Sequence, residues 1–357
     1  MDDQIPTFEG PVCPLPLKND TTIVLGHGSG GLMTHNLIQE VFQKHFKNRF
    51  IKAGNDFANT PLPDSFKNGR LSISTDGHII SPIFYPGGDI GRLAISGTVN
   101  DISMSGSIPL YITASFILEE GMSIADLEKI VISMQKTAQE AGVEIVAGDT
   151  KVVEKGKGDG VFISTTGIGW LPASIEIRGD LAKPGDVILI SGTIGDHGIA
   201  VLSARGDLGF ETDLQSDVAP LNHLIQSLVK NIPDIHVLRD PTRGGLATTL
   251  NEIARQSKVG LSIYDDLIPI HPTVQSACEM LGFDPLYVAN EGKVVVILPE
   301  EYKDKALELM KLNPYGKNAT YIGEVVTGHP GHVVLKTSFG TTRMLEMMSG
   351  EMLPRIC

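Results

Sequence analysis

The chain has 357 residues, of which 41% are hydrophobic and 20% are charged, and its formal net charge is −13. This length predicts two domains with a cleft between them, in a globular chain of ordinary composition. The negative charge and the lack of any run of Lys and Arg argue against a nucleic-acid surface, and no apolar run approaches the length of a membrane span. Because its first residues lack a signal-peptide pattern, we expect a cytoplasmic protein.

The predicted elements of the first half are mostly strands, with long helices between them. Residues 1–20 contain several prolines and are predicted to form an extended arm. Thr21–Gly26 is predicted as a strand that turns into a glycine loop, and a helix follows over 32–47. Further strands are predicted at 70–77, 79–86, 109–120, 143–153 and 160–170, and helices at 89–105 and 123–141. We therefore predict an N-terminal domain over residues 21–171.

The second half begins anew after a turn-rich segment that contains Pro172 and Pro184, and a fresh strand is predicted directly after that segment. Helices are predicted near 197–205, 219–230, 273–281 and 301–312, with another opened by the sequence DPTRGG, and strands at 261–264, 294–298, 321–326 and 332–335. Residues 172–337 are thus predicted as an α+β C-terminal domain, and residues 338–357 as a flexible tail. The fold class is α+β in two domains.

The glycine loop, GHGSGG over residues 26–31, has the literal GxGxxG spacing, but no acid follows at the distance that a dinucleotide-binding unit requires. A Walker loop fails as well, because Leu32 stands where Lys is needed. Two interpretations stay open. The backbone N–H groups of Gly28, Ser29 and Gly30 form a nest for anionic oxygens, or the segment is only a tight turn. Arg243, in DPTRGG, is a second candidate for meeting phosphate or carboxylate, although that segment is also an ordinary helix start.

Aspartates next to glycine or other small residues recur along the chain. Turn chemistry explains each of them singly. Together they are the hard oxygen ligands that Mg²⁺ needs when it carries nucleotide phosphates, and they are gathered from the ends of several strands. The residues are Asp56, Asp76, Asp101, Asp149 and Asp240.

Two further residues are candidates for proton transfer. Asp149 and Lys151 are two apart in a predicted strand, so their side chains point to the same face. Glu291 precedes the apolar strand at 294–298, which predicts a carboxylate at the mouth of a strand. A solvated surface acid is the alternative for Glu291.

The three cysteines share no CxxC spacing and are odd in number, so we predict reduced thiols and neither a disulfide framework nor a zinc ribbon. Cys278 is predicted to be a buried small hydrophobe, and Cys13 to be incidental. Cys357 is the last residue of the chain. A thiol at such a position suits a carrier that visits more than one site better than it suits a rigid catalytic group.

Motifs spread from about Thr21 to Cys357 resemble the HypE family of hydrogenase maturation proteins, within the wider PurM-like superfamily of aminoimidazole ribonucleotide synthetase enzymes. Several are shared across that superfamily, whereas the terminal PRIC is specific to the family. The motifs are HGSGG, STDGHIISPIFYPGGDIGRLAISGTVNDISMSG, VAGDTKVV, RDPTRGGLATTLNEIA, NEGKVV and PRIC.

The resemblance implies a PurM-like two-domain fold. In it, a mixed N-terminal domain contributes strands to a β-barrel shared by two chains, so a homodimer is expected, and an α+β C-terminal domain follows. ATP is implied to bind where the domains meet. Magnesium is implied on Asp56, Asp76, Asp101 and Asp149, with the nucleotide near Asn100 and the glycine loop, and with Asp240 and Arg243 as further contacts.

The implied activity is that of a carbamoyl dehydratase. The carbamoyltransferase HypF loads a carbamoyl group onto Cys357, ATP activates its oxygen, and loss of phosphate leaves a thiocyanate. The cyanide then passes to iron on the HypC–HypD scaffold. By resemblance Glu291 is the general base and Lys151 assists deprotonation or stabilises phosphate, and these two roles are open to exchange.

Three other functions remain as alternatives at this point. Another PurM-like ATP-dependent ligase or synthetase would share the acids and the fold, but it would not need a terminal cysteine. A selenophosphate synthetase would carry a reactive Cys followed closely by Lys, and the surroundings of Cys13 match that pattern poorly. A non-catalytic scaffold that only carries a ligand on its last thiol would not need Glu291, Lys151 and the aspartates.

Overall fold

The computed structural model describes residues 21–30, 32–53, 68–206 and 212–347. The predicted arm, Cys13, Asp56 and Cys357 lie outside these residues. The elements of the first half are α1 (Leu32–Leu37), α2 (Arg49–Ala53), β1 (Gly69–His78), β2 (Phe84–Tyr85), β3 (Gly88–Asp89), α3 (Ile90–Ser103), β4 (Ile108–Glu119), α4 (Ile124–Ala141), β5 (Glu144–Val153) and β6 (Val161–Pro172). Those of the second half are β7 (Asp186–Ile190), α5 (Asp196–Arg205), α6 (Asn222–Asn231), β8 (Val237–Arg239), α7 (Gly245–Ser257), β9 (Gly260–Tyr264), α8 (Pro272–Leu281), β10 (Val295–Pro299), α9 (Lys303–Lys311), β11 (Thr320–Val326), β12 (Val333–Lys336) and β13 (Thr342–Leu345). In this part of the chain, no helix combines the length and the apolarity that crossing a membrane requires.

The first half forms a sheet in the strand order β1-β6-β4-β5. β6 runs antiparallel to β1 and β4, whereas β4 and β5 are parallel and are connected by α4, because a parallel connection must cross over the sheet. Ser123 caps α4 by accepting a hydrogen bond from the Asp126 N–H, and Gly142, at φ 72°, ends the helix. Both ends of α4 are therefore set by local sequence.

The two faces of this sheet differ in what covers them. Thr165, which pairs with Asp76 on β1, contacts the Thr98 hydroxyl of α3 at 2.6 Å, so this face is covered by helix. Because side chains alternate along a strand, the residues on either side of Asp76 point to the opposite face. That face, which we call the open face, carries the large apolar side chains Leu71, Ile73 and Ile117, with exposures of 52%, 68% and 40%.

The second half forms a mixed sheet in the order β13-β12-β9-β11-β7-β10-β8, in which β12 and β9 are parallel. Its interior strand β7 is buried on both faces. Ile188 and Ile190 pack into one apolar cluster, and Val187 and Leu189 pack into another on the other side. This double burial explains why the segment reads as a continuous apolar run and not as an alternating one.

Most predicted helices and strands are confirmed, but two predicted strands are wrong. Thr21–Gly26 contributes only an isolated bridge between Thr22 and Ser123 before a short 3-10 helix over Leu25–Gly28. Residues 79–86 contribute only the two residues of β2 to a pairing, with β3. In both segments, glycine or proline residues interrupt the apolar runs on which the prediction depended.

The C-terminal segment also differs from its prediction. Residues 342–345, which we expected to belong to the flexible tail, form β13 and pair antiparallel with β12. A turn closes this hairpin, in which the Thr337 N–H donates to the Thr341 carbonyl at 2.8 Å. The first sheet ends with Pro172 and the second begins with Asp186, while the domain bounds themselves stay a prediction.

Candidate active site

A cavity of about 170 Å³ lies where the two halves of the chain meet. Its walls come from the end of β1, from α3, from the loop between β8 and α7, and from the segment ahead of β10. We call it the acidic cavity because of the side chains that these elements bring together. They are Asp76, Asp101, Asp240 and Glu291, with Arg243 beside them.

Asp76 and Asp101 are oriented by hydrogen bonds. The Gly77 N–H donates to Asp76 Oδ1 at 2.8 Å, and the Ser74 hydroxyl donates to Asp101 Oδ2 at 2.6 Å. Burial raises the pKa of Asp101, and the hydrogen bond from Ser74 opposes this shift. Within the described residues, no three His, Cys, Asp or Glu side chains lie close enough to hold a metal ion by themselves. Mg²⁺ commonly takes one or two carboxylates plus substrate phosphates, so the pair fits magnesium that arrives with a nucleotide.

Asp240 follows β8 and is partly buried in the wall of the same cavity. Burial, and after it the carboxylate of Asp101, raises the pKa of Asp240 from 3.8 to about 7. A carboxyl with this pKa is partly protonated at neutral pH. It therefore adds less negative charge to the cavity than the sequence suggests.

We predict that Asp240→Asn changes the free energy of unfolding relative to the parent, and that this change is more stabilising at pH 8 than at pH 4.5. The folded state binds the Asp240 proton more tightly than the unfolded state, so stability is present below about pH 4 and is lost as the pH rises to about 7. At about 1.4 kcal/mol for each pKa unit, and with a discount for contact with water, the change amounts to roughly 2–4 kcal/mol. Urea unfolding of both proteins at the two pH values measures it. An identical pH dependence in parent and variant would contradict the prediction.

Glu291 is buried ahead of β10, with 7% of its surface exposed. Its N–H donates to Asp217 Oδ1 at 3.1 Å, and its carbonyl accepts from Asn100 Nδ2 at 3.3 Å. Burial, and after it the carboxylates of Asp217 and Asp240, raises the pKa of Glu291 well above its usual range. A carboxylate in such surroundings binds a proton strongly, which is what a general base needs when it acts on a weak acid.

Asn100 is buried, and its side chain bonds to backbone. It donates to the Ala219 and Glu291 carbonyls and accepts from the Leu221 N–H at 2.7 Å. These bonds join α3 to the segments ahead of α6 and β10, so they fix Glu291 relative to Asp101 on α3. The nucleotide contact predicted for Asn100 stays a prediction.

A buried ion pair behind the acidic cavity was missed by the sequence analysis. Lys293 Nζ lies 3.0 Å from Asp217 Oδ2 and 4.0 Å from Asp196 Oδ2, and the lysine side chain is 10% exposed. Gly292 packs so closely that a Cβ there would lie 1.8 Å from the Asp217 carbonyl oxygen. One signal was available, because a lysine that opens an apolar strand has to be buried and then needs a carboxylate partner. Nothing local identifies which carboxylate it is.

We predict that Lys293→Met lowers the free energy of unfolding by about 3–5 kcal/mol, because it leaves the Asp217 carboxylate buried without its counterion. Lys317→Met is the matched control, since Lys317 is exposed, and it should change stability by less than about 0.5 kcal/mol. Adding Asp217→Asn to Lys293→Met should recover part of the loss. Urea unfolding measures all of these, and equally small effects of both lysine substitutions would refute the ion-pair argument.

The glycine loop lies against β5, at the far edge of the first sheet. A Cβ on Gly28 would be 2.7 Å from the Val152 backbone nitrogen. The Ser29 hydroxyl donates to a carbonyl within the loop at 2.9 Å, and the Gly30 N–H donates to the Thr34 hydroxyl at 3.0 Å. These bonds already use donors that an anion nest would need. Nucleotide binding by Gly28, Ser29 and Gly30 therefore stays a prediction.

Asp149 and Lys151 point to the same face of β5, as predicted, and Lys151 Nζ lies 2.6 Å from Asp149 Oδ2. The hydrogen bond from Lys151 lowers the pKa of Asp149. Asp149 pairs with Ser115 across the sheet and so lies on the open face, whereas Asp76 faces α3. Three strand spacings of about 4.8 Å each also separate β5 from β1. A single chain does not bring these two residues into the acidic cavity.

Both halves of the chain match models of the same protein family. Residues 63–171 match the N-terminal domain of the AIR synthase related proteins, and residues 183–336 match the C-terminal domain. The chain therefore belongs to this class of proteins. The carbamoyl dehydratase HypE of Azotobacter vinelandii is 51% identical over 343 residues, which cover 96% of this chain and 99% of that protein. The chain belongs to the HypE family of carbamoyl dehydratases, as its motifs predicted.

Two solved structures agree with this assignment. HypE in complex with ATP matches with a TM-score of 0.89 and 49% identity, covering 94% of this chain and 100% of that one. HypE in its complex with HypF matches with a TM-score of 0.76 and 52% identity, covering 87% and 99%. The predicted PurM-like fold with helices and sheets in two domains is thereby confirmed, whereas the barrel shared by two chains stays a prediction. The scaffold, the selenophosphate synthetase and the general ligase lose their support.

Proposed function

We propose that this chain dehydrates a carbamoyl group carried on the Cys357 thiol to a thiocyanate, with ATP as the second substrate, and so supplies cyanide ligands for the iron of [NiFe]-hydrogenase. The name of the relatives and the ATP complex of one of them support the reaction. In this chain the observation that carries it is a buried Glu291 in one cavity with Asp76 and Asp101.

The reaction replaces a carbon–oxygen bond by further bonds between carbon and nitrogen. The carbamoyl oxygen attacks the γ-phosphate of ATP and ADP leaves, so that the oxygen can depart as part of phosphate. Both N–H protons have to be removed before nitrogen forms the triple bond. The chain must therefore provide phosphate-binding groups and a proton acceptor side by side, and the acidic cavity has candidates for both.

Asp76 and Asp101 are the residues that we propose for magnesium. When bound there, Mg²⁺ would neutralise the charge on the phosphate that is transferred. Asp149 and Asp56 stay predicted ligands, although Asp149 lies on the open face and Asp56 lies outside the described residues. Asp240 lines the cavity beside this pair.

Glu291 is the proposed general base. The backbone bonds on both sides of it hold its position, and when its carboxyl is ionised the buried surroundings give it a high affinity for a proton from nitrogen. Lys151 stays the second candidate for proton or phosphate transfer. Because Lys151 lies on the open face, it would have to reach the reacting groups from outside the acidic cavity of its own chain.

The place where the described chain ends supports delivery of Cys357 to this cavity. The Tyr287 hydroxyl donates to the Glu346 carbonyl at 2.8 Å. Tyr287 itself packs against Gly245 at the start of α7, next to the cavity wall. The remaining residues 348–357 span at most about 35 Å when extended, which is enough for the last thiol to enter the cavity and to leave it again.

The mass of the peptide that ends at Cys357 tests this function. The chain is incubated with HypF, carbamoyl phosphate and ATP, and the peptide is expected to gain a carbamoyl group and then to lose water. Both changes should be confined to that peptide. An unmodified terminal peptide in a mixture that consumes ATP would contradict the proposal.

We propose that HypF loads the thiol, in line with the HypE–HypF complex of a relative. The iron scaffold HypC–HypD is the proposed acceptor of the cyanide, and the cytoplasm is the proposed location. Neither nucleic acid nor a membrane has a part in this chemistry.

We also propose that a second copy of the chain covers the open face, which makes the protein a homodimer. Large apolar side chains grouped on one sheet face are typical of a protein interface, and Leu71, Ile73 and Ile117 form such a group. The family resemblance predicts a barrel made from the strands of two chains. Because Asp149 and Lys151 share that face, a second copy would cover them as well.

We expect Ile73→Lys to convert the dimer into a monomer in sedimentation experiments, since it places a charge in the centre of the apolar group. Leu267→Lys is the matched control, because Leu267 is similarly large and exposed but belongs to the second half. If Lys151 acts on the neighbouring copy, a mixture of Lys151→Met and Glu291→Gln chains should regain activity that neither has alone. A dimer that survives Ile73→Lys would contradict the assignment of this face.

A further inference from the structure

Three consecutive residues ahead of β10 contact one aspartate. The Glu291 N–H donates to Asp217 Oδ1 at 3.1 Å, and Lys293 Nζ lies 3.0 Å from Asp217 Oδ2. Between them, Gly292 packs against Asp217 so closely that a Cβ on the glycine would overlap the Asp217 carbonyl oxygen. The Asp217 carboxylate therefore has one oxygen towards the backbone of the proposed base and the other towards a lysine.

This ion pair lies outside the acidic cavity. Asp217, Gly292 and Lys293 line a different cavity, of about 620 Å³, which we call the lysine cavity. Among the described residues, none lines both cavities, although Glu291 lines one and its neighbour Gly292 lines the other. The pair therefore forms a wall behind Glu291, and it can be replaced without removing a group from the acidic cavity.

Asp217 carries a negative charge in the interior of the protein, where its side chain is 3% exposed. Burial raises the pKa of Asp217, but Lys293 and then His197 lower it by more, so that the pKa lies below its usual value. Lys293 thus keeps the carboxylate ionised at neutral pH, whereas burial alone would favour the protonated acid. A full negative charge therefore stays beside the Glu291 backbone.

We propose that Asp217 is a positioning residue for the dehydration: one of its oxygens holds the Glu291 backbone in place, and its negative charge, maintained by Lys293, makes Glu291 a stronger base. This inference rests on the proposed function, since it takes Glu291 as the group that removes the protons from nitrogen. Stability alone does not account for the pair, because apolar residues of similar volume in place of a buried ion pair often leave a protein as stable as before.

Asp217 differs from the other charged groups that act on Glu291. Burial raises the pKa of Glu291 most, and Asp217 follows as the first of the charges. The others are Asp240, Asp76 and Asp101 in the wall of the acidic cavity, and the buried Tyr85 is near enough for Glu291 to raise its pKa. The charges of Asp76 and Asp101 are the ones that bound magnesium would neutralise. Asp217, behind the wall, keeps its effect on the base whatever the acidic cavity contains.

The test replaces both members of the pair, because Asp217→Asn alone leaves the Lys293 charge buried without its partner and destabilises the fold. The full-length chain with Asp217→Asn and Lys293→Met, which we call the neutral-pair chain, is loaded with a carbamoyl group on Cys357. Single-turnover dehydration is then measured as a function of pH. The rate should rise as Glu291 loses its proton. In the neutral-pair chain this rise should occur at lower pH, and the limiting rate should be about 10-fold lower, because a weaker base accepts protons more slowly.

Two further variants separate charge from position. Asparagine keeps an oxygen for the Glu291 N–H, whereas Asp217→Ala with Lys293→Met removes that oxygen as well and should be slower still. Asp213→Asn, which removes an exposed acid from the same segment, should leave the rate and its pH profile unchanged. ATP affinity should equal that of the parent in all of these chains. A slower neutral-pair chain with an unshifted pH profile, or one with weakened ATP binding, would assign the pair a structural role only and overturn the proposal.

Urea unfolding adds a measurement that needs neither HypF nor ATP. Glu291→Gln should stabilise the folded state at neutral pH, because it removes an acid whose ionised form is unfavourable there. If the charge of Asp217 contributes to this effect, the stabilisation by Glu291→Gln should be smaller in the neutral-pair chain than in the parent. Equal stabilisation in both would overturn the inference. If the parent forms no thiocyanate while the two stabilisations differ, the proposed function fails and the effect of Asp217 on Glu291 stands.

Discussion

Replacing Cys357 by alanine is expected to abolish thiocyanate formation and to leave the fold and ATP binding intact. The thiol is the proposed attachment point of the carbamoyl group, so without it no bond can form between substrate and protein. The residue lies beyond the elements that build either sheet, and its removal should change the free energy of unfolding by less than about 0.5 kcal/mol. Mass spectrometry of the terminal peptide, urea unfolding and nucleotide binding measure the three effects.

Cys13→Ala is the matched control, because it removes a thiol from the opposite end of the chain. Its thiocyanate formation should equal that of the parent. A Cys357→Ala chain that still produced a protein-bound thiocyanate would show that another residue carries the substrate. Cys278 would then be a poor candidate, since it is buried in α8 and burial raises the pKa of its thiol to about 11.

Replacing Glu291 by glutamine is expected to lower the rate of dehydration by about 10²–10⁴-fold, which is the usual contribution of a general base. Glutamine has the same shape, so the backbone bonds to Asp217 and Asn100 should persist and ATP should still bind. Loss of an acid with a raised pKa should stabilise the folded state at neutral pH. Single-turnover measurement of thiocyanate on the loaded chain provides the rate.

Glu300→Gln is the control for this substitution, because Glu300 is an exposed acid at the other end of β10. It should leave the rate unchanged. Undiminished thiocyanate formation in Glu291→Gln would remove Glu291 from the role of base. A loss of ATP binding in the same variant would instead assign it to the nucleotide site.

The candidate site was only partly predictable. Asp76, Asp101 and Asp240 were identified from their small neighbours, Glu291 from its place ahead of a strand, and all four from the family motifs, and they do share a cavity. Asp149 and Lys151 were correctly predicted to share a face of β5. Which face of the sheet they lie on was not predictable. The alternation of side chains along a strand shows that neighbours point to opposite faces, but it does not show which face the helices cover.

Local physical chemistry determined much of the fold from the sequence alone. The serine cap and terminal glycine of α4 act within a few residues of the helix ends. The doubly buried β7 was recognisable as a continuous apolar run. The terminal cysteine and the motifs sufficed for the family. The β13 pairing, by contrast, was missed, because an edge strand with exposed side chains has little hydrophobic pattern.

Tertiary structure alone decided the contacts between residues that are distant in sequence. It paired Lys293 with Asp217, committed the Asn100 amide to the backbone beside Glu291, and set Arg243 in the wall of the acidic cavity. Each of these depends on how the second sheet packs against α3, and loops of many residues separate the partners. Burial then sets the charge that each group carries, because the cost of removing a carboxylate from water depends on all of its neighbours in space.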